Sequence, residues 1–314
     1  MAQDTGATDG SPIFLEKGIA NLETGVAKVF EAIAKGARII SKELSFRVGL
    51  TESLNPFGEK QAELDVFANA LFSKTLLSTE VVGEVASEEL EMPLLSESRG
   101  PNSISVAMDP LDGSSNITTN NPLGSIFGIW KGTLPQRGRE QIASAFITYG
   151  PALSITFTAG RGVDQYVEAR KGEFAGSFVL AYKSIKLPAK PEVYGFGGSR
   201  KTWIPEVARF VTGLEERGLR LRYGGTFIGD YNQILRRGGI FSYPALKGKP
   251  EGKLRILYET APVSLITEAA GGYSSNGKES ILDIEPKSLT QTSAFYTGNS
   301  DLVKDLEAEI TSSS

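Results

Sequence analysis

Two carboxylates three residues apart, Asp109 and Asp112, run into a glycine and two serines in the octapeptide Asp109-Pro110-Leu111-Asp112-Gly113-Ser114-Ser115-Asn116. Carboxylates hold a hard divalent cation through oxygen. Backbone N–H groups exposed at a helix start hold a phosphate. The two functions in one turn describe a place where a metal and a phosphate meet. An Asp-x-x-Asp by itself is most often an acidic surface turn. Here it follows the short apolar run Ser103–Met108, which reads as a buried strand. Pro110 keeps Asp109 extended. Leu111 and Asp112 are expected in the turn, Gly113 permits its tight backbone, and Ser114 or Ser115 is expected to cap a helix.

Further acids stand at the ends of other apolar segments. Glu88 and Glu89 close the strand expected at Val81–Ala86, and Glu259 ends the one expected at Lys253–Tyr258. Three strand ends carrying acid can converge where open α/β sheets place their ligands. Five carboxylates crowded together require cations to neutralise them. Two or three divalent ions would do so, and paired ions can stabilise both the attacking and the leaving oxygen of a displacement. Taken singly, Glu88 and Glu89 also suit a solvated loop. Glu259 equally suits a helix N-terminus, and Asp65 suits a helix surface. Candidate cations and hydroxyls are Arg222, Tyr223, Tyr243, Lys253, Arg255, and Arg200 in the turn Gly197-Gly198-Ser199-Arg200. Each alone reads as a surface charge or a half-buried tyrosine.

Composition narrows the chemistry. The 314-residue chain contains no cysteine and no histidine. Disulfides, thiol nucleophiles, Cys/His zinc sites and a Ser-His-Asp triad are thereby excluded. Carboxylates, lysines, arginines, tyrosines, hydroxyls and metal ions remain, which directs any hydrolytic reading to Mg²⁺ or Mn²⁺. A net charge of −4 gives no support for nucleic acid or an anionic membrane as partner. No apolar run approaches the ~20 residues of a membrane span. The opening stretch Met1–Pro12 is polar and small and lacks the pattern of a signal peptide. A cytoplasmic protein is expected.

The positioning elements follow from periodicity. Leu22, Val26, Val29, Phe30, Ile33, Ile39 and Ile40 recur at helical spacing and predict a long helix over Ile19–Leu44. A loop over Arg47–Gly58 and a helix over Glu59–Lys74 come next. Short strands are expected at Val81–Ala86, Ser103–Met108, Gly124–Trp130, Ile142–Tyr149, Leu153–Ala159, Gln165–Ala169 and Glu173–Leu180, forming one large sheet. Lys183–Lys190 is rich in lysine and proline and reads as an interdomain stretch, dividing the chain into 13–187 and 188–314. Beyond it, strands at Val193–Phe196, Leu219–Tyr223 and Lys253–Tyr258 alternate with helices at Trp203–Arg217, Asp230–Arg237 and Val263–Ala270. Gly271-Gly272 supplies a helix stop, and a final helix covers Asp301–Ile310. Such alternation predicts an α/β second half.

Ser87-Glu88-Glu89, the octapeptide Asp109–Asn116, Gly124-Ser125-Ile126-Phe127-Gly128-Ile129, Arg222-Tyr223, Gly239-Ile240-Phe241-Ser242-Tyr243-Pro244, Lys253-Leu254-Arg255 and Glu259 resemble class 1 fructose-1,6-bisphosphatases in order and spacing. The group includes sedoheptulose-1,7-bisphosphatases, and the similarity spans about residues 20–304. The resemblance implies an α-β-α-β-α layered fold, a homotetramer, and Mg²⁺-dependent removal of the sugar 1-phosphate with two or more ions per subunit. It implies Glu88, Glu89, Asp109, Asp112, Glu259 and the Leu111 carbonyl as metal ligands. Asp65 would work with Glu89 to activate water. Asp112, Gly113, Ser114 and Ser115 would surround the 1-phosphate. Asn116, Tyr223, Tyr243 and Lys253 would contact the sugar and its distal phosphate, with Arg200 another cation on that side. Arg222 would reach a neighbouring subunit's substrate.

The chain also departs from that pattern. Gly197 and Arg200 stand where fructose-bisphosphatases of animals and many bacteria have Asn and Tyr. With Asn232-Gln233-Ile234, Ala261-Pro262 and Ser274-Ser275, these positions are closer to sedoheptulose-bisphosphatases, whereas Asn116 is closer to the fructose enzymes. Glu59 stands at a loop acid of the family, and Ser103-Ile104 replace a Lys-Tyr pair of the animal AMP site. Thiol regulation is impossible without cysteine. An inositol-monophosphatase-like enzyme shares the acidic turn but has no use for Arg222, Tyr243 and Lys253. A non-catalytic sugar-phosphate sensor has no use for Asp65 with Glu89. A structural Ca²⁺ module would need EF-hand ligand spacing, which is absent.

Overall fold

The computed structural model describes residues 11–46, 50–54, 60–97, 99–100 and 102–312. In chain order the first half comprises α1 (Leu15–Ile19), α2 (Thr24–Glu43), β1 (Leu50–Leu54), β2 (Lys60–Ala62), α3 (Glu63–Leu77), β3 (Val82–Ser87), β4 (Leu94–Leu95), β5 (Ile104–Asp112), β6 (Leu123–Lys131), β7 (Ala143–Tyr149), β8 (Leu153–Thr158), β9 (Asp164–Glu168) and β10 (Phe178–Tyr182). The second half comprises β11 (Val193–Phe196), α4 (Pro205–Glu216), β12 (Arg220–Leu221), α5 (Phe227–Arg237), β13 (Gly239–Tyr243), β14 (Leu254–Arg255), α6 (Ala261–Ala269), β15 (Tyr273–Ser275), β16 (Thr292–Ser293), β17 (Phe295–Gly298) and α7 (Ser300–Ser312).

Side-chain alternation along the strands builds five layers. Strand residues point to opposite faces in turn. Phe127 and Ile129 on β6 therefore pack against Val29, Phe30 and Ile33 of α2 and Leu64 and Phe72 of α3. Ile126 on the same strand faces the other way, toward Phe227, Ile228, Tyr231 and Ile234 of α5 and Val263 and Ile266 of α6. Those two helices also cover Phe241 of β13 and Phe295 of β17. Ile240 and Tyr296, on the far face of the second sheet, meet Val207, Val211 and Leu214 of α4 and Leu302 and Leu306 of α7. The order is helix pair, sheet, helix pair, sheet, helix pair, the α-β-α-β-α arrangement expected of the chain.

The first sheet has eight strands in the order β10-β9-β8-β7-β6-β5-β3-β4, and the second has five in the order β12-β11-β13-β17-β15. Within the first, β3 and β5 run parallel. Their C-terminal ends lie together, one leading to Glu88 and the other carrying Asp109 and Asp112.

Several boundaries differ from those read in the sequence, each for a local reason. The helix read over Ile19–Leu44 begins only at Thr24, because the chain turns after the short α1 that precedes it. The second helix begins at Glu63. The loop expected over 47–58 and Glu59 lie largely outside the described residues, and the described part pairs β1 with β2 antiparallel. Strand β5 does not stop at Asp109 but continues through Leu111 to Asp112. Opposite it, β6 advances only from Ile126 to Gly124 while β5 advances from Asp109 to Asp112, so the extra residue forms a bulge. The bulge lets a central strand contain Pro110, which has no N–H to donate.

Gly113, in the left-handed conformation at φ 82°, precedes a six-residue 3₁₀ helix, Ser114–Thr119, so the expected serine cap on a full α-helix is replaced by a glycine and a tight turn. The strand expected over Lys253–Tyr258 shortens to β14. The chain then coils through a π-helical turn, Ile256–Thr260, into α6. The Glu259 carboxylate accepts the Arg255 N–H at 2.6 Å and closes that coil. Glu259 is thus delivered by a helical turn and not by a strand end. The last strand of the first sheet starts at Phe178, since Gly172–Ser177 forms a turn.

Candidate active site

The ends of β3 and β5, the coil before α6 and the start of α5 surround one cavity of about 290 Å³. Asp65, Glu88, Glu89, Asp109, Leu111, Asp112, Gly113, Ser114, Ser115, Tyr243, Lys253, Arg255 and Glu259 line it. Acids from four separate segments therefore face one space. Asp109 is 5 % exposed, Asp112 8 %, Glu259 5 % and Asp65 4 %. Burial of a charged group without compensation is costly, so each of these needs a partner.

The local bonds show how the acids are placed. Asp65 sits in the first turn of α3 and accepts the Ala62 N–H at 2.8 Å. Asp109 accepts the Leu111 N–H at 3.0 Å, across the bulge. Asp112 accepts two amides from the start of α5, Phe227 at 3.2 Å and Ile228 at 2.7 Å. The positive end of a helix thus points at a carboxylate from the other sheet. Arg255 Nη1 lies 2.5 Å from Glu88 and 3.8 Å from Glu259 and bridges them as a fixed cation.

Even with these donors, the cavity holds more negative charge than it offsets. Burial first, then Glu88, Asp112, Glu259 and Glu89, push the Asp109 carboxyl well above its usual range. Burial pushes Asp112 up to about 7 against the opposing pull of its two amides. Burial likewise pushes Glu259 up to about 7, although Arg255 pulls it down. A hard, oxygen-preferring divalent cation fits such a donor set. Among the described residues no three acids are already drawn into a finished ligand shell.

A second cavity of about 390 Å³ adjoins the first. Ser115, Gly225, Tyr243 and Lys253 line both. Asn116, Gly197, Gly198, Tyr223, Pro244 and Leu246 complete its wall. The Tyr223 and Tyr243 hydroxyls lie 3.3 Å apart. Burial, then the Tyr223 contact, keep the Tyr243 phenol protonated as a donor.

Two candidates read from the sequence lie elsewhere in the chain. Arg200 lies along α4, donating to the Ala208 carbonyl at 2.9 Å and to Thr212, with Glu215 at 3.7 Å. It lines neither cavity, because these acceptors hold it on the outer face. Arg222 is half-buried and donates to the Leu221 carbonyl at 2.8 Å. It lines neither cavity either.

Other residues of the site were not legible as such. Gly225 and Phe227 line the first cavity. Thr226 donates to the Pro122 carbonyl at 2.5 Å and accepts from Asn116. Gly113 must be glycine, since a Cβ there would lie 2.6 Å from the Thr226 hydroxyl, on a backbone at φ +82°. The signal in sequence was Gly224-Gly225-Thr226 immediately before an apolar helix, a turn followed by a helix start.

Models of the fructose-1-6-bisphosphatase N-terminal and C-terminal domains match residues 15–180 and 187–311. The class 1 fructose-1,6-bisphosphatase of Natronomonas pharaonis is 41 % identical over 257 residues, covering 82 % of this chain and 88 % of that protein. The class 1 enzyme of Haloarcula marismortui is 38 % identical over 288 residues, covering 92 % and 96 %. The crystal structure of Leishmania major fructose-1,6-bisphosphatase in holo form superposes with a TM-score of 0.89 at 30 % identity, covering 96 % of this chain and 99 % of that one. The chain belongs to the fructose-1,6-bisphosphatase family, and it is a phosphatase of that family's hydrolase type. No helix among the described residues is long and apolar enough to cross a membrane.

Proposed function

We propose that the protein hydrolyses the 1-phosphate of fructose 1,6-bisphosphate, giving fructose 6-phosphate and inorganic phosphate. The observation that carries this reading is the pair of joined cavities, one walled by acids and the Gly113–Ser115 turn, the other by tyrosines and Lys253. Phosphoryl transfer is catalysed mainly by positioning and charge neutralisation. Glu88, Glu89, Asp109, Asp112, Glu259 and the Leu111 carbonyl would hold Mg²⁺ or Mn²⁺, two or more ions per subunit. Such ions, when bound, neutralise phosphate charge and acidify water at neutral pH.

The protein's own groups divide the remaining work. Gly113, Ser114 and Ser115 face the 1-phosphate with backbone N–H and hydroxyl donors. Asp65 and Glu89 receive the proton of the attacking water. Water adds to phosphorus as the bond to the sugar 1-oxygen breaks, and that oxygen leaves with a proton. Tyr223, Tyr243, Asn116 and Lys253 orient the sugar and the distal phosphate, so that the scissile bond stays in line. The two-domain division at 187/188, the homotetramer with Arg222 reaching across to a neighbour, and a cytoplasmic setting belong to the same proposal.

A second substrate is favoured by one feature. Gly197 lines the second cavity where fructose-bisphosphatases of animals and many bacteria have Asn, a pattern closer to enzymes of the seven-carbon sugar sedoheptulose 1,7-bisphosphate. Phosphate release with Mg²⁺ at equal concentrations of fructose 1,6-bisphosphate, sedoheptulose 1,7-bisphosphate and inositol 1-phosphate tests both readings. The fructose substrate is expected to react fastest and the inositol one slowest. Preference for inositol 1-phosphate would overturn the bisphosphate assignment.

A further inference from the structure

We propose that Asp230 is a positioning residue that fixes the sugar wall and the Asp112 carboxylate in one geometry. The inference rests on the bisphosphatase reading above and deepens it. Asp230 lies in the first turn of α5, 3 % exposed. One of its carboxylate oxygens accepts the Gly224 N–H at 2.7 Å and the other accepts the Gly225 N–H at 3.1 Å. A carboxylate that takes two successive backbone amides sets the path of that turn. Gly225, at φ +83°, supplies the left-handed step that the path needs.

The fixed turn is gripped from the other sheet. Asn116 Nδ2 donates to the Gly224 carbonyl at 3.0 Å and to the Thr226 hydroxyl. Thr226 in turn donates to the Pro122 carbonyl at 2.5 Å. Immediately after Thr226 come the Phe227 and Ile228 amides that hold Asp112. Residues 224–228 are thus one continuous strap. Its start walls the second cavity and its end holds an acid of the first. Asp230 is the side chain within α5 that ties the start of the strap to the helix whose amides form its end.

Asp230 itself lines neither cavity. It acts on substrate through Gly224 and Gly225, so its loss should weaken sugar binding more than the chemical step. The Asp112 amides survive on the backbone of α5, which keeps the catalytic acid near its place. Asp230→Asn conserves size and one acceptor oxygen, and so retains one of the two amide bonds. Asp230→Ala retains neither.

The test uses the 314-residue protein with saturating Mg²⁺ and compares wild type, Asp230→Asn and Asp230→Ala. Amide exchange of the peptide covering 222–230 is followed by mass spectrometry, beside steady-state phosphate release from fructose 1,6-bisphosphate. The expected result is selective loss of protection in that peptide for Asp230→Ala. KM should rise about tenfold with kcat within about threefold, a shift of ~1.4 kcal/mol in substrate affinity. Asp230→Asn should fall between the two. Wild-type protection and KM in a folded Asp230→Ala would overturn the proposal. So would equal losses in kcat and exchange protection across the whole chain, which would mark a general stabilising role. If Asp230→Ala does not fold, Asp230→Asn decides, since unchanged KM and protection there also overturn it. Absence of phosphate release by wild type would instead defeat the bisphosphatase reading, and the exchange result would then judge the strap alone.

Discussion

Buried acid occurs at both ends of the parallel pair β3–β5, and the two ends are built differently. Near the start of β3, Glu84 is 2 % exposed and accepts the Ser105 hydroxyl at 3.0 Å, the Leu134 N–H at 3.3 Å and Arg99 at 3.3 Å. One carboxylate there meets a hydroxyl, an amide and a guanidinium. About 13 Å along the strand, Glu88 opens the opposite arrangement, in which burial, Glu88, Asp112 and Glu259 push Asp109 up, Asp112 pushes Glu259 up, and the one guanidinium of Arg255 bridges Glu88 and Glu259. A saturated buried acid holds strands together. A crowd of buried acids short of positive charge is stable only if something else brings that charge, and a ligand can. The difference separates structural from functional acid without reference to any relative.

The largest expected effect lies at the crowded end. Asp112→Asn should fold, because its amide oxygen can still accept from α5, yet lose about three orders of magnitude in turnover, ~4 kcal/mol of transition-state stabilisation. Phosphate release at saturating substrate, with circular dichroism as the check on folding, measures it. Near-normal turnover in the folded variant would place the crowded end beside Glu84 as mere structure.

At the saturated end the same experiment should give the reverse. Glu84→Ala leaves the Leu134 amide without its acceptor and takes one of two acceptors from both Ser105 and Arg99, which keep the Gly132 carbonyl and the Thr133 hydroxyl, and this should cost about 2 kcal/mol of stability in urea unfolding. The folded fraction should keep its kcat and KM within about twofold. A turnover loss like that of Asp112→Asn would dissolve the contrast.

Cation binding sharpens the comparison further. At about 100-fold over its dissociation constant, Mg²⁺ should stabilise wild type and Glu84→Ala alike by ~2.7 kcal/mol over chelated protein, through mass action on the folded state. Asp112→Asn should gain much less. Calorimetric melting in chelator and in Mg²⁺ reads all three. Equal protection of the Asp112 variant would show that cations bind away from the crowded cavity.

How legible these two ends were in the sequence follows from their physics. Helical and alternating periodicity located most helices and strands, while the layering was implied only by the family resemblance; the alternation of Ile126 and Phe127, or Ile240 and Phe241, toward opposite cores is what realises it. The octapeptide was visible because its residue types do chemistry at short range. What short-range pattern cannot carry is contact between distant segments. The amides of Phe227 and Ile228 on Asp112 lie more than a hundred residues from it in sequence. The same holds for Asn116 on Gly224. Glu259 was assigned to a strand end because Leu254–Tyr258 is apolar but for Arg255, and short apolar runs do not distinguish a strand from a buried coil. Arg200 was drawn to the site by its neighbouring glycines, yet acceptors on α4 hold it on the outer face. Glu84 drew no notice at all, since one acid in an apolar strand has no spacing to read.

Asp230 lies between the two extremes and gives the smallest, most discriminating effect. It is buried like Glu84 and has two amide donors, but among the described residues no cation is bonded to it. Burial, only partly offset by those amides, pushes its carboxyl from 3.8 to about 6. The folded chain therefore holds that proton more tightly than the unfolded chain does. The associated stability is fully present below pH 3.8 and is lost as pH rises through about 6. Asparagine has nothing to titrate, so Asp230→Asn lacks this slope. Asp112, raised in part by Asp230, is relieved in the same direction by the substitution. Unfolding of the two proteins in chelator should show wild type losing about 1–2 kcal/mol relative to Asp230→Asn between pH 4 and 7. The constant cost of the missing amide bond shifts the level of the curve but not its slope. Parallel curves would mean that Asp230 is as well compensated as Glu84, and that the strain of uncompensated acid stops at the cavity wall.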